Sequence, residues 1–255
     1  MNTLIQQQHN EYNRIYAADA ENFSFHITKD KLTRYLRDRR LNKALNTLKQ
    51  HFTITEMQLW SVLVVCGGVG GEGIYFLNKG FEDVTSSDFS ESSLENATKL
   101  DYSGKLKTLL MNAEEINLPD KSYDLVIVQD GLHHLPRPPL GFTEMLRISR
   151  KGIIVIEPYE SLVGNIIGTT WEKHGEVINF VYRWDKKMVE QTVKSYLLKE
   201  FKHIKVLRIW DHGLAVSKLA SKLPKRFQLV LAKIIYGTLK PFSFIGNMMV
   251  SVIIK

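Results

Sequence analysis

Apolar positions along this chain change their spacing once, near residue 60. Residues 10–58 carry Leu32, Tyr35, Leu36, Leu41, Ala44, Leu45 and Leu48 at helical intervals, with Arg34, Arg37, Arg39 and Arg40 between them and little strand signal. From Ser61 onward, short apolar or β-branched runs at 62–65, 84–87, 106–111, 125–128 and 153–156 alternate with helical patterns. Such continuous runs suit parallel strands covered on both faces. Ser92 and Glu95 are spaced as a capping box for a helix over 94–100, and Phe142, Met145, Leu146 and Ser149 trace another helix that Gly152 closes. Five strand and helix units in succession predict a doubly wound α/β sheet.

The first strand runs into V-L-V-V-C-G-G-V-G-G-E-G at residues 62–73, with five glycines within seven positions. Gly67, Gly68, Gly70 and Gly71 leave main-chain N–H groups free to approach a ligand, and the next helix points its positive end at the same place. A nucleotide-like cofactor is held in this way; a tight turn with no ligand is the plainer alternative. In a doubly wound sheet the ligand lies at the carboxyl ends of the strands, so the residues there matter most. They are Cys66 and the glycines, then Asp88 and Phe89, then Asn112, Ala113 and Glu114, then Gln129, Asp130, His133 and His134, then Glu157. Asp88 lies 18 residues beyond Gly70, the spacing at which a carboxylate meets a ribose diol. Asn112 could accept from an adenine amine, with Ala113 keeping the approach of the ring open.

Taken together, the glycine stretch, V-T-S-S-D-F-S-E-S-S-L, N-A-E-E-I-N-L-P-D-K-S-Y-D-L-V-I-V-Q-D-G-L-H-H-L-P and E-M-L-R-I-S-R-K-G-I-I-V-I-E-P resemble the class I S-adenosylmethionine-dependent methyltransferases, in particular the small-molecule type 11 group. The resemblance covers about residues 60–160 closely. It implies a seven-stranded Rossmann-like sheet whose last strand is antiparallel, with residues 203–210 and 248–254 as its sixth and seventh strands. It also implies S-adenosylmethionine as cofactor, bound by Cys66, Gly67, Gly68, Gly70, Asp88, Phe89, Asn112, Ala113, Glu114 and Gln129. Two departures stand out. Val64 takes the place of an acid that helps to hold the methionine part of the cofactor, for which Gln129, Asp130 or a lid residue could substitute. Cys66-Gly67 reverses the usual order of that pair.

The implied reaction is methyl transfer by in-line displacement. An aliphatic hydroxyl is barely ionised at neutral pH, so an oxygen acceptor needs a base; His133 and His134 stand on the loop where it belongs, with Glu157 placed to orient an imidazole or to hold a substrate hydroxyl. One histidine is expected to pack under the loop and the other, with His134 preferred, to act. No carboxylate cluster beyond Asp130 and Glu157 suggests a metal site, and none is expected. The leading reading is therefore O-methylation of a small molecule or glycan with a histidine base. N- or C-methylation of a lipid or quinone-like acceptor at a membrane surface, and a cofactor-binding module without turnover, are the alternatives.

Residues 1–58 are expected to form an N-terminal helical cap, either a lid over the cofactor or an appendage on the sheet, with Tyr12, Tyr16, Phe25 and His26 near the substrate. Residues 59–255 then form the Rossmann-like domain, carrying an aromatic-rich insertion at about 160–200 (Trp171, His174, Phe180, Tyr182, Arg183 and Trp184) and a basic helical insertion at about 212–243.

Composition narrows this further. At 255 residues and 44% hydrophobic, the chain can bury a sizeable core. The first residues lack the apolar centre of a signal peptide and no run is long enough to span a bilayer, which predicts a cytoplasmic protein. Cys66 is the only cysteine, so no intrachain disulfide or cysteine-rich zinc site forms. No acid follows Asp211, and the seven cations beyond it account for the whole formal charge of +7. A balanced body with a basic tail argues against a nucleic-acid partner. In that tail Phe227, Val230, Leu231, Ile234 and Ile235 form an apolar stripe beside Arg226, Lys233 and Lys240. Two readings stay open: a helix lying on an anionic bilayer, or an inserted helical pair packed on the protein.

Overall fold

The computed structural model describes residues 3–17, 23 and 27–255; Phe25 and His26 lie outside the described residues. The chain opens with α1 (Thr3–Tyr16), α2 (Lys31–Leu48) and the short α3 (Ile54–Gln58). Strand and helix then alternate: β1 (Ser61–Val64), α4 (Gly71–Asn78), β2 (Asp83–Asp88), α5 (Glu91–Leu100), β3 (Lys107–Leu110), β4 (Tyr123–Gln129), α6 (Pro138–Ile148) and β5 (Ser149–Pro158). After α7 (Leu162–Ile167) come a two-stranded hairpin, β6 (Trp171–His174) and β7 (Val177–Phe180), then α8 (Lys186–Leu197) and β8 (His203–Ile209). Helices α9 (Gly213–Ala220) and α10 (Lys225–Leu239) and a 3-10 segment (Lys240–Ile245) precede β9 (Met248–Ile254).

Seven strands form one sheet in the order β3-β2-β1-β4-β5-β9-β8. β1 to β5 are parallel and β9 runs antiparallel to both β5 and β8, as the sequence resemblance implies. Alternate side chains of each central strand enter two separate cores, because a strand presents successive residues to opposite faces. Val62, Leu125, Ile127 and Ile154 meet α2, α4 and α5 on one face; Leu63, Val126, Val128 and Ile153 meet α6 and α8 on the other. Both faces are therefore dry along β1, β4 and β5, which is why these strands read as unbroken apolar runs, whereas β3, at the edge, is largely exposed and not covered on both faces as its run suggests.

Two local expectations need correction. Ser90, not Ser92, caps α5: its hydroxyl accepts from Ser93 N at 3.2 Å, so Glu95 lies beyond the capping position. The turn that places Ser90 is made by Asp88, whose carboxylate accepts from Ser90 N at 3.0 Å. Gly152 does not close α6 either; Ser149 begins β5 at once, and Gly152 sits inside that strand opposite Leu125 and Ile254.

Helix α2 joins two cores. Leu41, Ala44, Leu45 and Leu48 pack on the sheet, whereas Leu32 packs with Val216, Ala220, Ala232 and Tyr236 of α9 and α10. Helix α1 lies over the carboxyl ends of the strands, held to α5 by Asn13 Oδ1, which accepts from Ser90 Oγ at 2.8 Å and Ser92 N at 3.1 Å, and by Asn96 Nδ2, which donates to Tyr16 O at 2.7 Å.

Candidate active site

A cavity opens at the carboxyl ends of β1, β2, β3 and β4 under α1. Cys66 and Gly68, Asp88 and Phe89, Met111 to Glu114, Asp130, Gly131 and His134 form its floor; Ile5, Gln8, Tyr12, Ile15 and Tyr16 of α1 and His174 of the hairpin form its roof. Among the residues expected to bind cofactor, Gly67, Gly70 and Gln129 do not line it. The reason for the glycines is steric. A Cβ on Gly67 would stand 2.2 Å from Ser86 Oγ, and one on Gly70, at φ +81°, would meet Ala97 and Leu106 at 2.9 Å. Those two positions let the loop and the start of α4 close on β2 and α5. Gly68, at φ +50°, has nothing nearer its missing Cβ than Tyr16 Oη at 3.7 Å, so this is the glycine whose bare backbone faces the cavity. Cys66 and Asp130 follow β1 and β4 with φ of +53° each, a left-handed conformation that non-glycine residues adopt at a cost of about 1–3 kcal/mol.

Asp88 ends β2 with its carboxylate at the cavity wall. Its oxygens accept from Gly68 N at 2.9 Å and Ser90 N at 3.0 Å, which couples the acid to the glycine loop. Burial raises its pKa, against those hydrogen bonds. A carboxylate offers about four acceptor sites, so capacity remains for a diol. Asn112 Oδ1 is occupied by Glu114 N at 3.0 Å, which shapes the turn after β3. Glu114 is tied to Arg137 through Nη2 at 2.8 Å.

Val64 leaves no acid at the end of β1, yet acids surround that place. Asp130 pairs with Arg40 of α2 (Nη1 to Oδ1, 2.9 Å), and Arg40 Nε also reaches Asp211 Oδ2 at 3.1 Å. Burial opposes the charge on Arg40, but Asp130 and Asp211 prevail and raise its pKa. Beside them Gln129 Nε2 donates to Glu72 Oε1 at 2.7 Å, and burial raises the pKa of Glu72. Neither Arg40 nor Glu72 stands out in the sequence. Arg40 is one of four arginines on α2, and only the packing of that helix on β9, which carries the guanidinium to Asp130 beyond the end of β4, singles it out.

His133 and His134 sit in the 3-10 turn Leu132–His134 and differ completely. His133 is buried, its Nδ1 2.6 Å from Oε2 of Glu157, a residue with no exposed surface that also accepts from Gly131 N and Leu132 N at 2.9 and 2.8 Å. Glu157 thus fixes the loop and one imidazole but does not line the cavity. The second carboxylate, Glu172 on β6, was not expected. Its Oε2 lies 3.7 Å from His133 Nε2, 3.8 Å from His134 Nδ1 and 3.5 Å from His174 Nε2. Glu172 and His174 are two apart on a strand and so share its inner face, the one signal for them in the sequence. Burial works against a charged His133, yet the two carboxylates push its pKa up to about 10. Burial and the neighbouring His133 charge lower that of His134 to about 3. Hydrogen bonds from His133 and His174 lower that of Glu172. His133, His134 and Glu172 bring three potential ligand atoms within 4.8 Å of one another. A metal ion there would have to displace the proton that the two carboxylates hold on His133.

His134 is the histidine that faces the cavity. Its Nδ1 is buried without a hydrogen-bond partner among the described residues, and its ring stands edge-on to Tyr12 and His174 at 6.3 and 4.9 Å. Gln8 of α1 donates to His134 O at 3.1 Å and to Asn179 Oδ1 of β7 at 2.8 Å, so helix, histidine loop and hairpin meet at one side chain. Of the aromatic insertion, only His174 reaches the cavity; Trp184 is core against Phe142, and Trp171 and Phe180 pair on the outer face of the hairpin.

The residues present fit an adenosylated amino acid. Phe89, Met111 and Ala113 offer apolar walls for a ring, Asp88 an acceptor for a diol, Gly68 an open backbone, and Asp130 a carboxylate toward an amine. Residues 63–156 match the family described as "Methyltransferase domain". No curated protein sequence matches the chain. Among solved structures, it resembles a SAM-dependent methyltransferase from Thermotoga maritima (16% identity over 91% of this chain and 97% of that one, TM-score 0.55). It also resembles phosphoethanolamine N-methyltransferase 2 of Haemonchus contortus in complex with S-adenosyl-L-methionine (14%, 84% and 52%, 0.54). A third is magnesium protoporphyrin IX methyltransferase of Synechocystis PCC 6803 with bound SAH (12%, 96% and 93%, 0.53). At these identities the structural likeness speaks for the fold alone, and the match over residues 63–156 shows that this part of the chain is a methyltransferase domain of the class I S-adenosylmethionine-dependent group.

Proposed function

We propose that this enzyme methylates a hydroxyl of a small molecule or glycan in the cytoplasm, with His134 as general base. The observation that supports it is the contrast between the two histidines: one held charged between two carboxylates, the other kept neutral at the cavity wall.

S-adenosylmethionine, when bound, supplies an electrophilic sulfonium methyl whose sulfur keeps the bonding electron pair on transfer. Asp88, Gly68 and the apolar walls would hold the adenosine, and Asp130, steadied by Arg40, the amino-acid end. Fixing donor and acceptor in line supplies about 7–11 kcal/mol of the barrier. In the tautomer with a proton on Nδ1, toward Glu172, His134 presents the Nε2 lone pair and takes the hydroxyl proton as the new C–O bond forms. The imidazolium so made lies beside Glu172 and is stabilised by it. His133, already protonated, serves to position Glu172 and the loop. Tyr12, Tyr16 and α1 exclude water from the cavity.

A panel of hydroxyl- and amine-bearing acceptors with a methyl-labelled donor tests this directly. Hydroxyl compounds should be turned over by the wild type and lose rate in His134→Ala. Products carrying the label only on nitrogen or carbon, formed equally by both proteins, would replace this reading with the second one, methylation of a lipid or quinone-like acceptor. That reading is favoured by the apolar walls Ile5, Ile15 and Leu135 of the cavity. No helix among the described residues is long and apolar enough to cross a membrane, so such an acceptor would be met at the surface.

A further inference from the structure

We infer that the outward face of α10, continued by the 3-10 segment after it, is a docking surface for an anionic lipid bilayer. Helix α10 already has its packing partner. Ala232 and Tyr236 are buried against Leu32 of α2 and against Val216 and Ala220 of α9, with the Arg39 guanidinium 3.6 Å over the Tyr236 ring. A helix anchored on one side should be polar on the other. Here Leu231 and Ile235, two of the five stripe residues, join the packed side, but Phe227, Val230 and Ile234 do not. They are 47, 52 and 56% exposed and fall at i, i+3 and i+7, a single line along the water-facing side. Phe242 and Phe244 of the following segment are 53 and 67% exposed.

Charge names the occupant. Lys218, Lys222, Lys225, Arg226, Lys233 and Lys240 are exposed, none forms an ion pair among the described residues, and no acid occurs between His212 and Lys255. Residues 1–211 are balanced, so the positive field of the molecule is concentrated around this apolar line. Protein interfaces deplete lysine, whereas an interfacial helix on an anionic membrane is rich in it, with the cations flanking an apolar strip. Five of these six cations are lysine, which favours lipid over an acidic protein. The place in the fold agrees. The insertion leaves β8 at Ile209 and re-enters at Met248, and both pair at the level of Pro158, the carboxyl end of β5. That is the edge of the sheet at which the cavity opens, so docking would bring the cavity to the bilayer surface.

The experiment is co-sedimentation of the whole protein with phosphatidylcholine vesicles containing phosphatidylglycerol, with pure phosphatidylcholine as control and salt as the variable. Binding should occur on the mixed vesicles at low salt, weaken as salt rises, and be absent on the neutral ones. Phe227→Ser with Ile234→Ser, and separately Lys222→Glu with Lys233→Glu, should each lower the partition coefficient about tenfold or more. All four side chains face water, so both variants should keep the wild-type melting temperature. No sedimentation with anionic vesicles at low salt overturns the inference. So does binding that the charge reversals abolish while the serine variants leave it untouched, since a purely ionic contact would suit any polyanion. Neither result bears on methyl transfer, which is measured without lipid.

Discussion

Nδ1 of His133 lies 2.6 Å from Oε2 of Glu157, and both side chains are buried. The pair pins the histidine loop against the end of β5, because the same carboxylate accepts the backbone N–H groups of Gly131 and Leu132. Breaking it by Glu157→Gln should cost about 3 kcal/mol, the loss typical of a buried charge left without its partner. It should also change the pH dependence of stability. The folded-state pKa of His133, about 10, lies above its ordinary 6.5. The stability it contributes is therefore complete below about pH 6.5 and lost as pH rises through about 10. Melting temperatures across that window should fall for the wild type and fall less for Glu157→Gln.

His134→Ala should lower turnover about 10²–10⁴-fold while calorimetric titration still shows cofactor binding. The pKa of this imidazole is lowered from 6.5 to about 3, so its base form is present throughout the neutral range. The rate should accordingly show no rise centred near pH 6.5. An unchanged rate in the variant would remove His134 from the reaction.

Asp88→Ala should weaken S-adenosylmethionine binding by an amount corresponding to about 1.5–3 kcal/mol for each charge-assisted hydrogen bond lost. Calorimetry with the donor and its demethylated product measures this. The variant should also loosen the glycine loop, since Gly68 N and Ser90 N lose their acceptor.

Arg40→Met would leave Asp130 and Asp211 facing each other without their shared cation, and a loss of about 3–5 kcal/mol is expected in denaturant unfolding. Arg40→Lys should recover only part of it, because an ammonium cannot reach both carboxylates with a fork.

Two glycine substitutions separate packing from binding. Gly67→Ala should destabilise the fold, its methyl group driven into Ser86. Gly68→Ala should keep more of the stability and lose cofactor affinity, because its methyl group would enter the cavity. Melting temperature and titration, read together, should move in opposite proportion for the two.

Much of this molecule is written locally. Unbroken apolar runs specified central strands because both faces of the sheet are dry, and the loops that follow those strands had to form one edge, so Asp88, Asn112 and His134 could be placed on a common cavity from sequence. What the sequence left open depended on contacts between distant segments. Nothing near residue 40 says that its guanidinium reaches the end of β4, and nothing near residue 172 says that a hairpin folds back to set a carboxylate among three histidines. The difference between His133 and His134 was likewise undecided, since adjacent residues of one type differ only in what packs against them. The five-residue stripe of α10 read as one face in sequence, but α2 took Leu231 and Ile235 into a core and left Phe227, Val230 and Ile234 in water. Periodicity fixes which residues share a side of a helix or strand; only the assembled chain decides which side meets protein, and so where charges are buried, paired or exposed.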